Sequence, residues 1–164
     1  MHKITFVLCD GMLATSTTLP FEMLRAAESA ARGSSRQAER MLIQTTAISL
    51  DPVKTSVGFP LHPETTLETA GESDIIYLPA LWRNPRPIVK KHKALLDWLR
   101  KAYENGATIN AVGTGCCFLA EAGLLNDKPA TTHWHYFDQF QRDYPRIQLK
   151  RQYFITQAGN LYCS

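Results

Sequence analysis

The sequence predicts an α/β fold: a mainly parallel sheet covered by helices on both faces, in three layers. Three observations carry that prediction. Short runs of β-branched and apolar residues recur at 4–9, 41–49, 74–79 and 108–112, the profile of strands buried on both sides. Amphipathic helical stretches alternate with them, the spacing that builds parallel βαβ units. A Gly113-Thr114-Gly115 turn joins the run at 108–112 directly to a helix-prone segment, as in proteins that raise a side chain above the carboxyl edge of a sheet.

The first strand, residues 4–9, ends at the Asp10-Gly11 turn. A helix follows, with Pro20 placed in its first turn and Met23, Leu24, Ala27, Ala30 and Ala31 at helical spacing; Gly33-Ser34-Ser35 ends it. Residues 41–49 form the next strand. Pro60 and Pro63 restrict residues 55–68 to short edge strands or loops. The strand at 74–79 stops at Pro79, and Pro85 and Pro87 introduce a helix predicted over 88–104. There Ile88, Leu95, Leu99 and Ala102 form an apolar stripe opposite Lys91, Lys93 and Arg100. Asn105-Gly106 stops that helix. The helix after the glycine turn closes at Ala122-Gly123. Residues 130–133 read as a short strand, and 134–144 as a helix with Phe137, Phe140 and Gln141 on one side. Residues 147–163 read as a hairpin turning at Ala158-Gly159-Asn160.

With 164 residues the chain makes one domain and one sizeable core. A composition of 45% apolar and 20% charged residues is that of a globular protein, and a net charge of +3 is too weak to argue for nucleic-acid binding by this segment. The basic cluster Arg83, Arg86, Lys90, Lys91, Lys93, Arg100 and Lys101 reads as the solvated face of a helix. No run approaches the roughly 18 apolar residues of a membrane span. The four cysteines Cys9, Cys116, Cys117 and Cys163 lack a CxxC spacing and suit free thiols, which points to a cytoplasmic protein.

The turn at 113–115 has the layout of a nucleophile elbow whose apex, Gly113, has no side chain. Cys116 and Cys117 lie in the first turn of the following helix, where the dipole can lower a thiol pKa, but each is nearly a helical turn from the apex. Packing is the commoner fate of cysteine; a reactive thiol is the alternative. His133-Trp134-His135 could present two imidazoles to a metal, yet no third ligand stands at a recognisable spacing, so no metal and no other cofactor is expected. Backbone N–H groups at the turn can take carboxylate or phosphate oxygen without a reactive side chain. Ser16, Gly113, Thr114, Gly115 and His133 are therefore the candidate ligand-binding residues, and a bulky residue at 115 is expected to block the site with the fold intact.

Phe118-Leu-Ala-Glu-Ala-Gly-Leu-Leu125 followed by Ala130-Thr-Thr-His-Trp134, with Gly159-Asn-Leu-Tyr162 at the end, resembles the ThiJ/PfpI superfamily, the class I glutamine amidotransferase-like proteins. The resemblance is closest to the branch at the amino terminus of AraC-type transcriptional regulators, and it covers the whole chain. It implies a flavodoxin-like three-layer sandwich. Enzymes of the superfamily carry an apex cysteine, a nearby histidine and an acidic residue after the first strand. Those positions fall on Gly113, His133 and Ser16, so two of the three groups are absent. The resemblance implies a non-catalytic, ligand-sensing and dimerisation domain. Its implied partners are a small polar or anionic effector, a second copy, and DNA only through a downstream helix-turn-helix domain outside residues 1–164. The strand-like ending at Ser164 fits a fragment of something longer. The alternative is a hydrolase or amidase that uses Cys116 or Cys117.

Overall fold

A computed structural model describes residues 1–34 and 40–164. In chain order the elements are β1 (His2–Val7), α1 (Thr15–Ser34), β2 (Met41–Ala47), β3 (Val53–Lys54), β4 (Pro60–Leu61), β5 (Thr65–Thr66), β6 (Ile75–Leu78), α2 (Arg86–Lys91), α3 (Lys93–Glu104), β7 (Thr108–Ala111), α4 (Cys116–Glu121), β8 (Pro129–Ala130), α5 (Phe137–Asp143), β9 (Gln148–Leu149), β10 (Thr156–Ala158) and β11 (Leu161–Cys163). Among the described residues the main sheet has seven strands in the order β10-β11-β7-β6-β1-β2-β5. Every neighbouring pair is parallel except β10 with β11, where Gly159, at φ +60°, makes the turn.

Strand alternation sorts the core into two unequal parts. Ile76, Leu78, Ile109, Ala111, Leu161 and Cys163 turn to the larger core, with Val89, Leu95, Leu99 and Phe118 from α2, α3 and α4. Ile4, Phe6 and Ile43 turn to the opposite face, where Phe21 and Leu24 of α1 cover them. Phe6 meets the edge of Phe21 at 5.4 Å and stacks on Tyr77 at 4.6 Å. Full burial of each such side chain is worth roughly 1.5–3 kcal/mol, so the larger core dominates the stability of the fold.

Four details depart from the sequence-based expectation. The helix predicted over 88–104 is two helices: α2 begins earlier, and His92 interrupts at φ −98°, ψ 46°. Its Nδ1 lies 2.6 Å from the Ile88 carbonyl oxygen, so an imidazole stands in the helical ladder there. Pro20 sits in the interior of α1 because the helix starts at Thr15, where the amides of Ser16, Thr17 and Thr18 already find the Leu13 and Ala14 carbonyls. On the same helix Met23 is 63% exposed and Ala27, Ala30 and Ala31 are exposed, so the expected apolar spacing faces outward over much of its length. The carboxyl-terminal hairpin is shorter than 147–163: β9 instead pairs in parallel with β8, and only β10 and β11 form hairpin arms. The expected end of α1 at Gly33-Ser34-Ser35 extends to Ser35, which lies outside the described residues.

Candidate functional site

The carboxyl ends of β6 and β7 build the candidate site. After β7 the chain passes through Val112, still extended, and enters Gly113 at φ +51°, a left-handed backbone that glycine adopts without steric cost. One 3-10 turn, Gly113–Gly115, leads into α4. A Cβ placed on Gly113 would lie 3.5 Å from the Ala80 Cβ and 3.9 Å from the His133 Cβ. The apex therefore projects between Ala80 and the Cβ of His133, and it carries no side chain.

Two hydroxyls that the sequence nominates for binding are engaged in the fold. Thr114 Oγ1 donates to the Leu81 carbonyl at 2.7 Å and accepts from the Leu81 N–H at 2.8 Å. Ser16 Oγ donates to the Leu13 carbonyl at 2.6 Å and accepts from the Ala80 N–H at 3.0 Å. Together they clamp the loop after β6 from both sides. The turn's backbone is occupied too: the Gly113 N–H donates to the Ser164 carbonyl at 2.7 Å and the Gly115 N–H to the Val112 carbonyl at 2.9 Å. The turn thus has fewer donors for an anion than its sequence suggests.

A cavity of about 730 Å³ opens beside the apex. Gly113, Thr114 and His133 line it, together with Leu13, Leu81, Trp82, Arg83, Trp134, His135 and Tyr136. Ser16 and Gly115 are not in its wall. Gly115 is packed against β6, and a Cβ there would lie 2.4 Å from the Pro79 carbonyl oxygen. A bulky residue at 115 would therefore break the sheet–helix contact and could not block the site selectively. His133 is exposed, accepts at Nδ1 from the His135 N–H at 3.3 Å, and stacks on Trp134 at 5.4 Å. Tyr136 donates to Asp143 at 3.2 Å, and Arg86 pairs with the same carboxylate at 3.0 Å, which fixes that wall. Burial, then the neighbouring Cys117 and Asp143, push the Tyr136 phenol up, so it stays a donor.

Neither cysteine of α4 reaches the cavity. Cys116 and Cys117 are fully buried, and burial followed by the Cys117 neighbour pushes the Cys116 thiol well above its ordinary range. A thiol held protonated in the core is no nucleophile. The sequence also grouped Arg83 with a solvated helix face. It stands instead in the loop before α2, at φ +58°, on the cavity rim. Trp82, Arg83 and Tyr136 were missed as lining residues because only the loop geometry after β6 and after β8 turns them to one place. Pro79, which marks the strand end, was the available hint.

The DJ-1/PfpI family model matches residues 2–161, nearly the whole chain. The chain belongs to the DJ-1/PfpI family. Among curated proteins this DJ-1/PfpI domain is 36% identical over 114 residues to the HTH-type transcriptional regulator CdhR of Pseudomonas aeruginosa, covering 66% of this chain and 33% of the regulator. It is 37% identical over 89 residues to an isonitrile hydratase of Pseudomonas putida, covering 54% of this chain and 38% of the hydratase. The match thus spans about a third of the regulator's length and 38% of the hydratase's. A solved AraC family transcriptional regulator from Pseudomonas putida superposes with a TM-score of 0.80 at 18% identity, over 100% of this chain and 83% of that one. This last likeness concerns the fold, which is the mainly parallel, helix-flanked sandwich expected from the sequence.

Proposed function

We propose that this DJ-1/PfpI domain is a non-catalytic sensory and dimerisation domain of an AraC-type transcriptional regulator, working in the cytoplasm. The observation that carries the reading is the empty apex. Gly113 holds the elbow backbone beside His133 but supplies no atom to attack a carbonyl or an isonitrile carbon. The nearest thiols are locked in the core, and Ser16, at the acidic position, uses its hydroxyl to hold the loop. A cavity that keeps its walls and loses its nucleophile suits recognition, and the match to a helix-turn-helix regulator supports the same reading.

In this proposal a small polar or anionic effector enters the cavity beside Gly113, Thr114 and His133. A second copy is the dimer partner, for which exposed Leu19 and Met23 of α1 offer apolar surface. DNA contacts belong to a further domain. Binding that favours one dimer arrangement by about 1–3 kcal/mol is enough for control. No helix among the described residues is long and apolar enough to cross a membrane, which accords with this setting.

The enzyme reading has one observation in its favour, the isonitrile hydratase relative. One experiment separates the two. A metabolite panel is screened by thermal shift while esterase, amidase and isonitrile-consuming activities are assayed on the same sample. Saturable stabilisation that falls in a His133→Ala or Trp134→Ala variant, with background turnover, is the expected result. Turnover abolished by Cys116→Ser or Cys117→Ser would overturn it.

A further inference from the structure

We propose that the cavity takes a monoanionic carboxylate with a planar apolar body, Arg83 being its counter-ion and Trp82 and Trp134 its walls. This assignment rests on the sensor reading above and names the ligand class for it. Arg83 is the single formally charged residue among the described residues lining the cavity, and no Asp or Glu lines it. Other arginines are answered by acids: Arg25 by Glu28, Arg86 by Asp143, Arg100 by Asp97, Arg146 by Asp127 and Arg151 by Asp138. The Arg83 side chain makes no hydrogen bond or ion pair with any described residue.

The backbone supplies an independent sign. Arg83 sits at φ +58°, a left-handed conformation that β-carbon-bearing residues avoid, and Asp127 is the other such residue among those described. Asp127 has its Arg146 partner across the surface. Strain held at a cavity rim, on a residue whose guanidinium lacks a partner, points to a ligand as the missing partner. An arginine fork matches a carboxylate through two parallel hydrogen bonds.

The rest of the wall describes the ligand's body. Trp82 and Trp134 line the cavity and remain 53% and 70% exposed, so much of each indole is open to a ligand even though His133 stacks on Trp134 and His135 meets its ring edge-on. Planar apolar groups stack on such surfaces. Gly113 lines the cavity without a side chain and so takes up none of its volume. A phosphate dianion fits less well, because one guanidinium answers one charge and the Gly113 and Gly115 N–H groups are already occupied.

The test is calorimetric titration of the 164-residue chain with benzoate, benzamide and phenyl phosphate. Benzoate is expected to bind about tenfold or more tightly than the neutral amide, with phenyl phosphate weaker than benzoate. Arg83→Gln should erase the preference of benzoate over benzamide. Arg83→Gly should erase it while the melting temperature holds or rises, since glycine relaxes the φ of +58°; loss of binding is then not loss of fold. Trp134→Ala should weaken benzoate and benzamide to the same degree. Equal binding of benzamide and benzoate that still depends on Trp134 would overturn the anion assignment and leave the sensor reading standing. Tighter phenyl phosphate, or a preference that survives both Arg83 variants, would likewise overturn it. Failure of all three probes to bind overturns the assignment, with the wider metabolite screen still deciding the sensor reading.

Discussion

Two glycines within one turn do opposite work. Gly113 is needed for its backbone angle, since a Cβ there meets only ordinary contacts. Gly115 is needed for its missing Cβ, because the Pro79 carbonyl occupies that space. Gly113→Cys should therefore fold, with a loss of about 1–2 kcal/mol in urea denaturation from the left-handed angle. It should gain no efficient turnover of esters, amides or isonitriles, since no carboxylate stands at Ser16; a large gain in kcat would contradict the account of the missing groups. Gly115→Ala should cost more, about 3 kcal/mol or the soluble fold itself, because backbone must move. Thr114→Val keeps the shape but leaves the Leu81 N–H and carbonyl without their partner, a loss of about 1–3 kcal/mol. Denaturation midpoints of these variants, compared side by side, check the ranking.

At the scale of the element, α4 decides whether the chain has a usable thiol. Five of its six residues, Cys116 to Ala120, are buried in the larger core, where α4 contacts both α2 and α3. The helix start that could activate a cysteine is thus sealed from solvent. A thiol-labelling reagent at pH 8 should modify none of the four buried cysteines of the native chain, and all four once it is unfolded. Rapid native labelling at Cys116 or Cys117 would reopen the enzyme reading. The break between α2 and α3 belongs to the same scale. Periodicity merges the two helices, whereas the His92 imidazole beside the Ile88 carbonyl divides them.

For the whole molecule, buried thiols couple stability to alkaline pH. Burial and the neighbouring Asp10 push Cys9 from its ordinary value of 9.0 up to about 12. Because the folded pKa is raised, the unfolded chain releases this proton first. The contribution is fully present below pH 9 and is lost as pH rises from about 9 to about 12. The loss is about 1.4 kcal/mol per pH unit for one thiol. Guanidinium unfolding of the wild-type chain and a Cys9→Ala variant should give stability slopes that differ by about that amount between pH 9.5 and 11, the variant being flatter. Assembly is tested at this scale as well: light scattering at micromolar concentration should give twice the mass of one chain. A saturating effector, at about 100 times its dissociation constant, should add roughly 2.7 kcal/mol.

The sequence by itself determined the order of the main strands and helices, because strands buried on both faces are mostly apolar or β-branched. It also determined the position of the empty elbow, because a strand, Gly-Thr-Gly and a helix leave one place for the apex. It located Gly113, Thr114 and His133, which the fold brings to one cavity, although they are separated by up to 20 residues in the chain. Only the tertiary structure decided how those groups are used. Whether the Ser16 and Thr114 hydroxyls face a ligand or a loop depends on where the chain runs after Pro79, and no local pattern encodes that path. The same holds for Gly115, whose Cβ space is claimed by the Pro79 carbonyl just after β6, 36 residues earlier. Arg83 reads as one more solvated base in a basic stretch, and becomes a rim residue because the loop between β6 and α2 carries it to the cavity. Periodicity reports which faces are apolar, while hydrogen-bond partners and unfilled space are set by contacts between segments far apart in sequence.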